Sequence, residues 1–349
     1  MIISSKPWKS KHPPKRILAI RLQAMGDLVI TLPYLQQLRN TLPRDTIIDL
    51  LTREEVMDIP QNMELFNRVY AIKGGRNFKL QLLYTFTLLP KLLWNRYDTV
   101  IDLQNNLLSR IARKSIHPKA WTEFDRYSPN AAGARNANTI AALQLGTGMA
   151  ANNFKLKSNE GIDALLLANG YKQNNQLVVL NPAGAFENRN WPLDYYAVFS
   201  KLWLQKYPDT QFLILGIDKI AYKAAFLKQQ LDTHIIDLVN KTTPAQAFAL
   251  MQQVTFILSE DSGLMHMAWV SGVPTLAMFG STRSDWSRPL GTYTGFVDSS
   301  DMACGNCMLE ICRLKNDAFN LCMTRLLPEF IFKKALTLLD QTKAYQPSK

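Results

Sequence analysis

Residues 16–33, RILAIRLQAMGDLVITLP, run from a short apolar stretch of β type through a turn at Gly26 into a segment of helical period. The same succession recurs along the chain. In the first half Ile17–Ile20, Ile47–Leu51, Val69–Ile72 and Thr99–Leu103 read as strands, and 27–40, 79–95 and 136–145 as helices. In the second half the strands are Leu177–Leu180, Phe212–Leu215, Ile235–Leu238, Phe256–Leu258 and Thr275–Met278, with helical stretches at 193–206, 219–231, 244–252 and 262–271. Strands alternating with helices make βαβ units and parallel sheets, so the fold class is α/β. No short period repeats, which excludes a solenoid.

At 349 residues the chain has the length of two domains at about 150 residues each. Residues 1–15 hold Lys6, Lys9, Lys11 and Lys15 and no acid, and read as a flexible basic arm. The first domain is expected over 16–150, a polar Asn- and Lys-rich linker over 151–175 with a short helix at 161–168, the second domain over 176–325, and a C-terminal helix and tail over 326–349 that packs back on the first domain. A hydrophobic fraction of 47% excludes disordered and collagen-like classes. The formal charge of +12 points to an anionic partner. Neither a helix-turn-helix nor an RNA-recognition signature is present, so nucleic acid is not the expected partner. No apolar run reaches the roughly 18 residues of a membrane span, and the N-terminal segment lacks the apolar region of a secretory signal, so the expected location is the cytoplasm.

Open parallel sheets bind ligands beyond the carboxyl ends of their strands. Three such junctions carry chemistry. In the first, the turn at Gly26 puts the Asp27 carboxylate at the mouth of a sheet; Asp27 reads equally as a helix N-cap and as an active-site acid. This loop has neither the glycines of a dinucleotide fingerprint nor the Gly-Lys-Thr of a triphosphate loop. In the second, residues 178–195, VVLNPAGAFENRNWPLDY, a small-residue loop around Gly184 and Ala185 lets backbone approach a ligand. Arg189 in that loop reads as a phosphate contact or as a solvated arginine. In the third, residues 256–268, FILSEDSGLMHMA, a strand delivers Glu260 and Asp261 to a helix start at Ser262 and Gly263. The amides from Ser262 through Leu264 to Met265 then form an anion cradle, with His266 one turn on.

Cys304, Cys307, Cys312 and Cys322 follow the spacing C-x2-C-x4-C-x9-C. Four thiolates would suit tetrahedral zinc, but the second pair does not repeat the first knuckle, and free buried thiols are the alternative. Residues 78–94, FKLQLLYTFTLLPKLLW, are too polar to span a bilayer; they read as a helix packed on the sheet or, alternatively, as one lying at a lipid surface. Arg110, Arg113, Lys114, Lys119, Arg126 and Arg135 form a basic zone suited to an anionic acceptor or to solvent.

Together the three junctions resemble glycosyltransferase family 9, the lipopolysaccharide heptosyltransferases. The matching elements are Arg21, Gly26, Asp27 and Thr31-Leu32-Pro33 in the opening, Trp191-Pro192 preceded by a basic residue, Asp261-Ser262-Gly263-Leu264-Met265-His266-x-Ala268, Val273-Pro274-Thr275 followed by Phe279-Gly280-x-Thr282, and the cysteine cluster followed by Leu327-Pro328-Glu329. The resemblance implies a GT-B architecture: two Rossmann-like domains with parallel sheets facing across a cleft, the first taking the acceptor and the second the nucleotide-sugar. It implies an inverting transferase that uses ADP-heptose, requires no metal or other cofactor, and has Asp27 as general base. Gly184, Ala185, Arg189, Asp218, Asp261, Ser262, Gly263, Leu264 and His266 would face the donor; Arg21, Gly26, Arg110 and Arg113 are acceptor-side candidates. Arg189 stands where the family commonly has lysine, and Glu260 where many members have a neutral residue. The implied partner is the lipopolysaccharide inner core, reached peripherally at the cytoplasmic face of the inner membrane. A member that uses another nucleotide-sugar, or binds without turnover, is the alternative. A nucleotide-sugar epimerase would need acid–base residues on both faces of the sugar, and no such pair surrounds Asp27.

Overall fold

The apolar runs are buried on both faces along the central strands, which is what a parallel sheet covered by helices on either side requires. The computed structural model describes residues 3–146 and 148–345, and divides into two compact units, Met1–Ser158 and Asn159–Lys349.

The first unit holds β1 (Ser5–Lys6), β2 (Arg16–Ile20), β3 (Ile47–Arg53), β4 (Arg68–Ile72), β5 (Thr99–Asp102) and β6 (Ala120–Glu123), in the order β1-β6-β5-β2-β3-β4. All pairings are parallel except that of β1 with β6. The chain winds outward from β2 through β3 to β4, then returns to place β5 on the other side of β2. The gap between β2 and β5 is therefore the topological switch point. The helix Met25–Thr41 leaves β2 there, and the helix Leu107–Ile116 leaves β5.

The second unit repeats the plan with β7 (Gln176–Asn181), β8 (Thr210–Gly216), β9 (Ile235–Val239), β10 (Val254–Glu260), β11 (Thr275–Met278) and β12 (Thr294–Val297), all parallel, in the order β12-β11-β10-β7-β8-β9. Its switch point lies between β7 and β10. On one face of this sheet Trp191, Tyr196, Phe199 and Trp203 form a buried aromatic cluster, with Trp203 stacked on Phe256 of β10 at 4.9 Å between ring centroids.

Three organisational expectations change. Of the expected arm over 1–15, the described residues 3–15 are not free: Ser5 and Lys6 pair antiparallel with Thr122 and Trp121, and the Trp8 amide donates to the Leu143 carbonyl at 3.0 Å. An exposed sheet edge offers backbone partners, and the arm takes them. The linker is shorter than its polar composition suggests. The Lys157 amide donates to the Asn62 carbonyl at 2.7 Å, tying residues up to 158 to the first unit, while the helix Ile162–Ala168 belongs to the second. The terminal helix Pro328–Tyr345 is an integral part of the second unit. Its Ile331, Ala335 and Leu338 lie in the core of the second unit, and Phe332 meets Phe199 edge-on at 6.1 Å.

The helix Phe78–Trp94 meets the packing expectation in part, with Leu82 and Leu88 packed against the core beside Leu92. Leu92 is buried, but the other buried residues are Gln81 and Thr85, whereas Phe78, Leu83, Phe86 and Trp94 are exposed.

Candidate functional site

Each switch point carries a polar cluster. In the first unit, Arg21 sits just past β2 with 5% of its surface exposed. Its guanidinium lies 5.0 Å from the centre of the Phe124 ring and bonds the Leu103 carbonyl beyond β5. Nη2 reaches Asp27 Oδ1 at 3.2 Å, and Asp27 Oδ2 accepts the Ala24 amide at 3.2 Å. Asp27 is not the N-cap residue, which is Ala24; it stands at the third position of the first turn and accepts the N-cap amide, and with a side chain 45% exposed it presents a carboxylate to solvent. Burial lowers the Arg21 pKa from its ordinary value, while Asp27 opposes that shift and Arg135 adds to it. Arg135 covers the same Phe124 ring at 5.1 Å, so two cations flank one aromatic side chain.

The loop that turns back beyond β5 holds this cluster in place. Gln104 Oε1 accepts the amides of Leu22 and Gln23 at 3.0 and 3.1 Å, and Asp102 Oδ1 accepts those of Gln104 and Asn105 at 3.1 and 2.7 Å. The acceptor-side candidates separate here. Arg110 is exposed and bonds Asn105 Oδ1 through Nε at 2.7 Å. Arg113 is buried instead: it stacks on Trp121 at 4.2 Å and pairs with Asp102 and Glu123. A side chain enclosed in this way, with 4% of its surface exposed, is held within the unit.

In the second unit, Glu260 ends β10 fully buried. Its carboxylate accepts the Gly184 and Trp191 amides, each at 2.7 Å, and the Tyr196 hydroxyl at 3.4 Å. Burial pushes its pKa up to about 7, against the pull of Lys223 and the two amides. Lys223, itself buried, donates to the Pro182 carbonyl at 2.6 Å and to Asn190 Oδ1 at 2.8 Å. Burial lowers the Lys223 pKa. The loop 182–191 is therefore clamped at both ends by one buried acid and one buried base. The fit leaves no room for a larger residue at position 184, since a Cβ there would stand 2.6 Å from that of Arg189. Trp191 completes the anchor, donating from Nε1 to the Leu326 carbonyl at 2.7 Å and meeting Tyr196 edge-on. The charge that had no explanation in the sequence, Glu260, is the fastener of this loop.

The clamped loop presents Arg189. Its guanidinium lies 4.1 Å from the Phe186 ring centre and pairs through Nη1 with Asp261 Oδ2 at 3.2 Å; Thr282 Oγ1 donates to the same oxygen at 2.8 Å. Arg189 is thus no solvated loop arginine, having 15% of its side chain exposed. Ser262 precedes the helix Gly263–Val270 but makes no side-chain cap to it, and its Oγ accepts from Asn181 Nδ2 at 2.6 Å. The helix start is open, because a Cβ at Gly263 would meet nothing within 4 Å. First-turn amides in that setting suit an anion. Ala185 is exposed, its carbonyl accepting from Lys219 Nζ at 2.8 Å, and Leu264 is partly exposed on the first turn. His266 is buried and takes the Trp269 indole N–H at 3.3 Å. Asp218 lies exposed past β8, next to Asn240 Nδ2 at 3.4 Å.

Sequence reasoning missed Gln104, Tyr196 and Lys223. Tyr196 and Lys223 lie within helices and act by reaching across to a strand-to-helix turn, and Gln104 lies in the turn after β5, which carries no small-residue signature. The four cysteines are free thiols, Cys304 and Cys307 exposed and Cys312 and Cys322 partly buried. Among the described residues no three metal-ligating side chains come together in a way that could hold an ion.

Two doubly wound α/β units in tandem, each with its polar cluster at the switch point, place the protein in the GT-B class. A glycosyl transferase family 9 protein of Veillonella parvula superposes with a TM-score of 0.74 at 19% identity, over 94% of this chain and 97% of that one. The E. coli ADP-heptose lps heptosyltransferase II superposes with a TM-score of 0.68 at 17% identity, over 94% and 99%. The family model of glycosyltransferase family 9 (heptosyltransferase) matches residues 86–318, more than half of the chain, and the protein belongs to that family. A lipooligosaccharide heptosyltransferase 2 of Campylobacter jejuni is 31% identical over 198 residues, 54% of this chain; the match spans 57% of the relative's own length.

Proposed function

We propose that the protein transfers heptose from ADP-heptose to an inner-core lipopolysaccharide acceptor, with inversion, at the cytoplasmic face of the inner membrane. The observation that carries this reading is the partly exposed Asp27 carboxylate, held at the first switch point by a buried arginine, in a member of family 9. As the acceptor oxygen attacks the anomeric carbon from the face opposite the nucleotide, Asp27 takes its proton and the bond to the diphosphate breaks. The departing ADP carries the negative charge. Arg189, oriented by Asp261 and Phe186, and the first-turn amides of the helix Gly263–Val270 meet that charge, so no metal is given a part. Gly184, Ala185 and Asp218 line the same edge of the second sheet, Asp218 placed for the nucleotide ribose. His266, enclosed beneath the first turn, supports the loop and makes no direct contact.

The first unit receives the acceptor. Arg110 and Arg135 are its available cations, while Arg21 orients the base and Arg113 is structural. Inner-core acceptors are anionic and lipid-borne, which gives the +12 charge a purpose at an anionic membrane surface. The test is transfer of heptose from ADP-heptose to an isolated, deacylated inner-core oligosaccharide. Product formation by the native chain, and its loss in Asp27→Asn with ADP-heptose still bound, is the expected result. Binding of ADP-heptose without any transfer to such acceptors would overturn the reading.

A further inference from the structure

The helix Phe78–Trp94 is apolar on its outward as well as its inward side: Leu92 is buried and Leu82 and Leu88 pack against the core of the first unit. Gln81 and Thr85 face inward, and Thr85 Oγ1 is satisfied by the Gln81 carbonyl at 2.8 Å. Outward stand Leu80 (43% exposed), Leu83 (57%), Phe86 (52%), Leu93 (46%) and Trp94 (86%). Positions 80, 83, 86 and 93–94 recur at helical spacing, so these side chains form one continuous stripe along a helix about 25 Å long. A contiguous apolar stripe of that kind marks an interaction surface.

The charge around the stripe selects the occupant. From residue 65 to residue 97 the chain has six basic side chains, Arg68, Lys73, Arg76, Lys79, Lys91 and Arg96, and no acidic one. All six are exposed. Lys79 and Lys91 lie on the helix itself, and Arg76 and Arg96 stand just beyond its ends. Apolar and aromatic side chains bordered by cations of one sign suit the boundary between lipid headgroups and acyl chains, with phosphates meeting the cations. No helix among the described residues is long and apolar enough to cross a membrane, so contact would be from one side.

We propose that the helix Phe78–Trp94 is a docking face for an anionic bilayer, lying in the plane of the surface with Leu83, Phe86 and Trp94 inserted and Lys79 and Lys91 on headgroup phosphates. The proposal rests on the lipid-borne acceptor only for its biological purpose; the binding itself needs no acceptor.

The experiment is flotation of the full chain with vesicles of phosphatidylglycerol and phosphatidylethanolamine, beside vesicles of phosphatidylcholine alone. The native chain should float with the anionic vesicles, and part of the binding should persist at about 0.5 M salt, where surface charge is largely screened. Leu83→Ser, Phe86→Ser and Trp94→Ala should each lower partitioning by about tenfold without altering thermal unfolding, because each side chain is exposed in the free protein. Lys79→Glu with Lys91→Glu should lose the preference for anionic lipid. Transfer to a deacylated oligosaccharide should be unchanged in all of these variants, which separates a failure of docking from a failure of the transferase reading. Undiminished flotation of the three apolar variants, no flotation of the native chain, or a native dimer that the same substitutions dissociate would each overturn the proposal.

Discussion

At the mouth of the first sheet the arginine is buried and the acid is exposed; at the mouth of the second the acid is buried and the arginine lies at the edge. Arg21 is enclosed by Phe124 and the Leu103 carbonyl and holds out Asp27. Glu260 is enclosed by Gly184, Trp191 and Tyr196 and fixes the loop that holds out Arg189. One strand order therefore supports two opposite presentations, a carboxylate from the first unit and a guanidinium beside helix amides from the second. A proton acceptor and an anion receptor are the two tools that a transfer to a sugar hydroxyl with departure of a diphosphate requires. In the proposed mechanism the inward member of each pair is a fastener, and the outward member is the reagent.

The sharpest way to break this comparison is to exchange the outward acid for its amide. Asp27→Asn keeps the shape and the bond to Arg21 but removes the base. The expected loss in kcat is about a hundredfold to ten-thousandfold, with the dissociation constant for ADP-heptose unchanged by calorimetry. Turnover within a few-fold of the native value would reduce Asp27 to the partner of the N-cap amide that its bond to Ala24 already makes it.

The inward acid should fail differently. Glu260→Ala leaves the Gly184 and Trp191 amides buried without their partner and removes the opposite charge nearest the buried Lys223 ammonium, which costs about 3 kcal/mol or more of unfolding free energy in urea. The same group should tilt stability with pH. Its pKa rises from an ordinary 4.5 to about 7 on folding, so the folded state binds the proton more tightly. Its stabilisation is then full below pH 4.5 and is lost as the pH rises through about 7. Measured against Glu260→Gln, which cannot titrate, the native chain should lose up to about 3 kcal/mol across that interval. Parallel pH profiles for the two proteins would show that Glu260 stays ionised throughout.

How much of this was legible in the sequence follows from which forces act locally. Strands buried on both faces announce themselves as apolar runs, and the nine named from sequence all lie in the two sheets, at the expected places except at their ends. The other strands, Ser5–Lys6, Ala120–Glu123 and Thr294–Val297, are short and of mixed polarity, and they exist because a neighbouring edge offers hydrogen bonds. The three junctions were legible because strand, small-residue turn and helix start are contiguous. The fasteners were not, since Lys223 reaches the 182–191 loop from a helix more than thirty residues away. Composition told only part of the helix Phe78–Trp94: Leu92, with Leu82 and Leu88, packs on the core as the leucine content suggested, while Leu83, Phe86 and Trp94 stand outward. Composition does not tell which face meets the sheet, and Gln81 and Thr85 occupy the inward positions. Arg113 misled for a related reason: its stacking on Trp121 and pairing with Asp102 and Glu123 are tertiary contacts.

The smallest effect tests the outward arginine. Arg189→Ala removes a cation whose charge is already shared with Asp261, so the dissociation constant for ADP-heptose should rise by only about tenfold, as for loss of one charge-assisted hydrogen bond. Arg189→Lys is the finer instrument. Lysine keeps the charge but gives up the planar group that lies over Phe186 and the fork that can hold Asp261 while offering further N–H donors. If the guanidinium serves the donor only as a point charge, Arg189→Lys binds like the native chain and Phe186→Leu is silent. If its fixed plane matters, both substitutions weaken binding by a few-fold, and combining them adds little because each removes the same orientation. Calorimetric titration of ADP-heptose into the four proteins of that cycle reads the coupling directly. A donor affinity unmoved by Arg189→Ala would remove the anion receptor's cation from the second mouth and leave the helix amides to act alone.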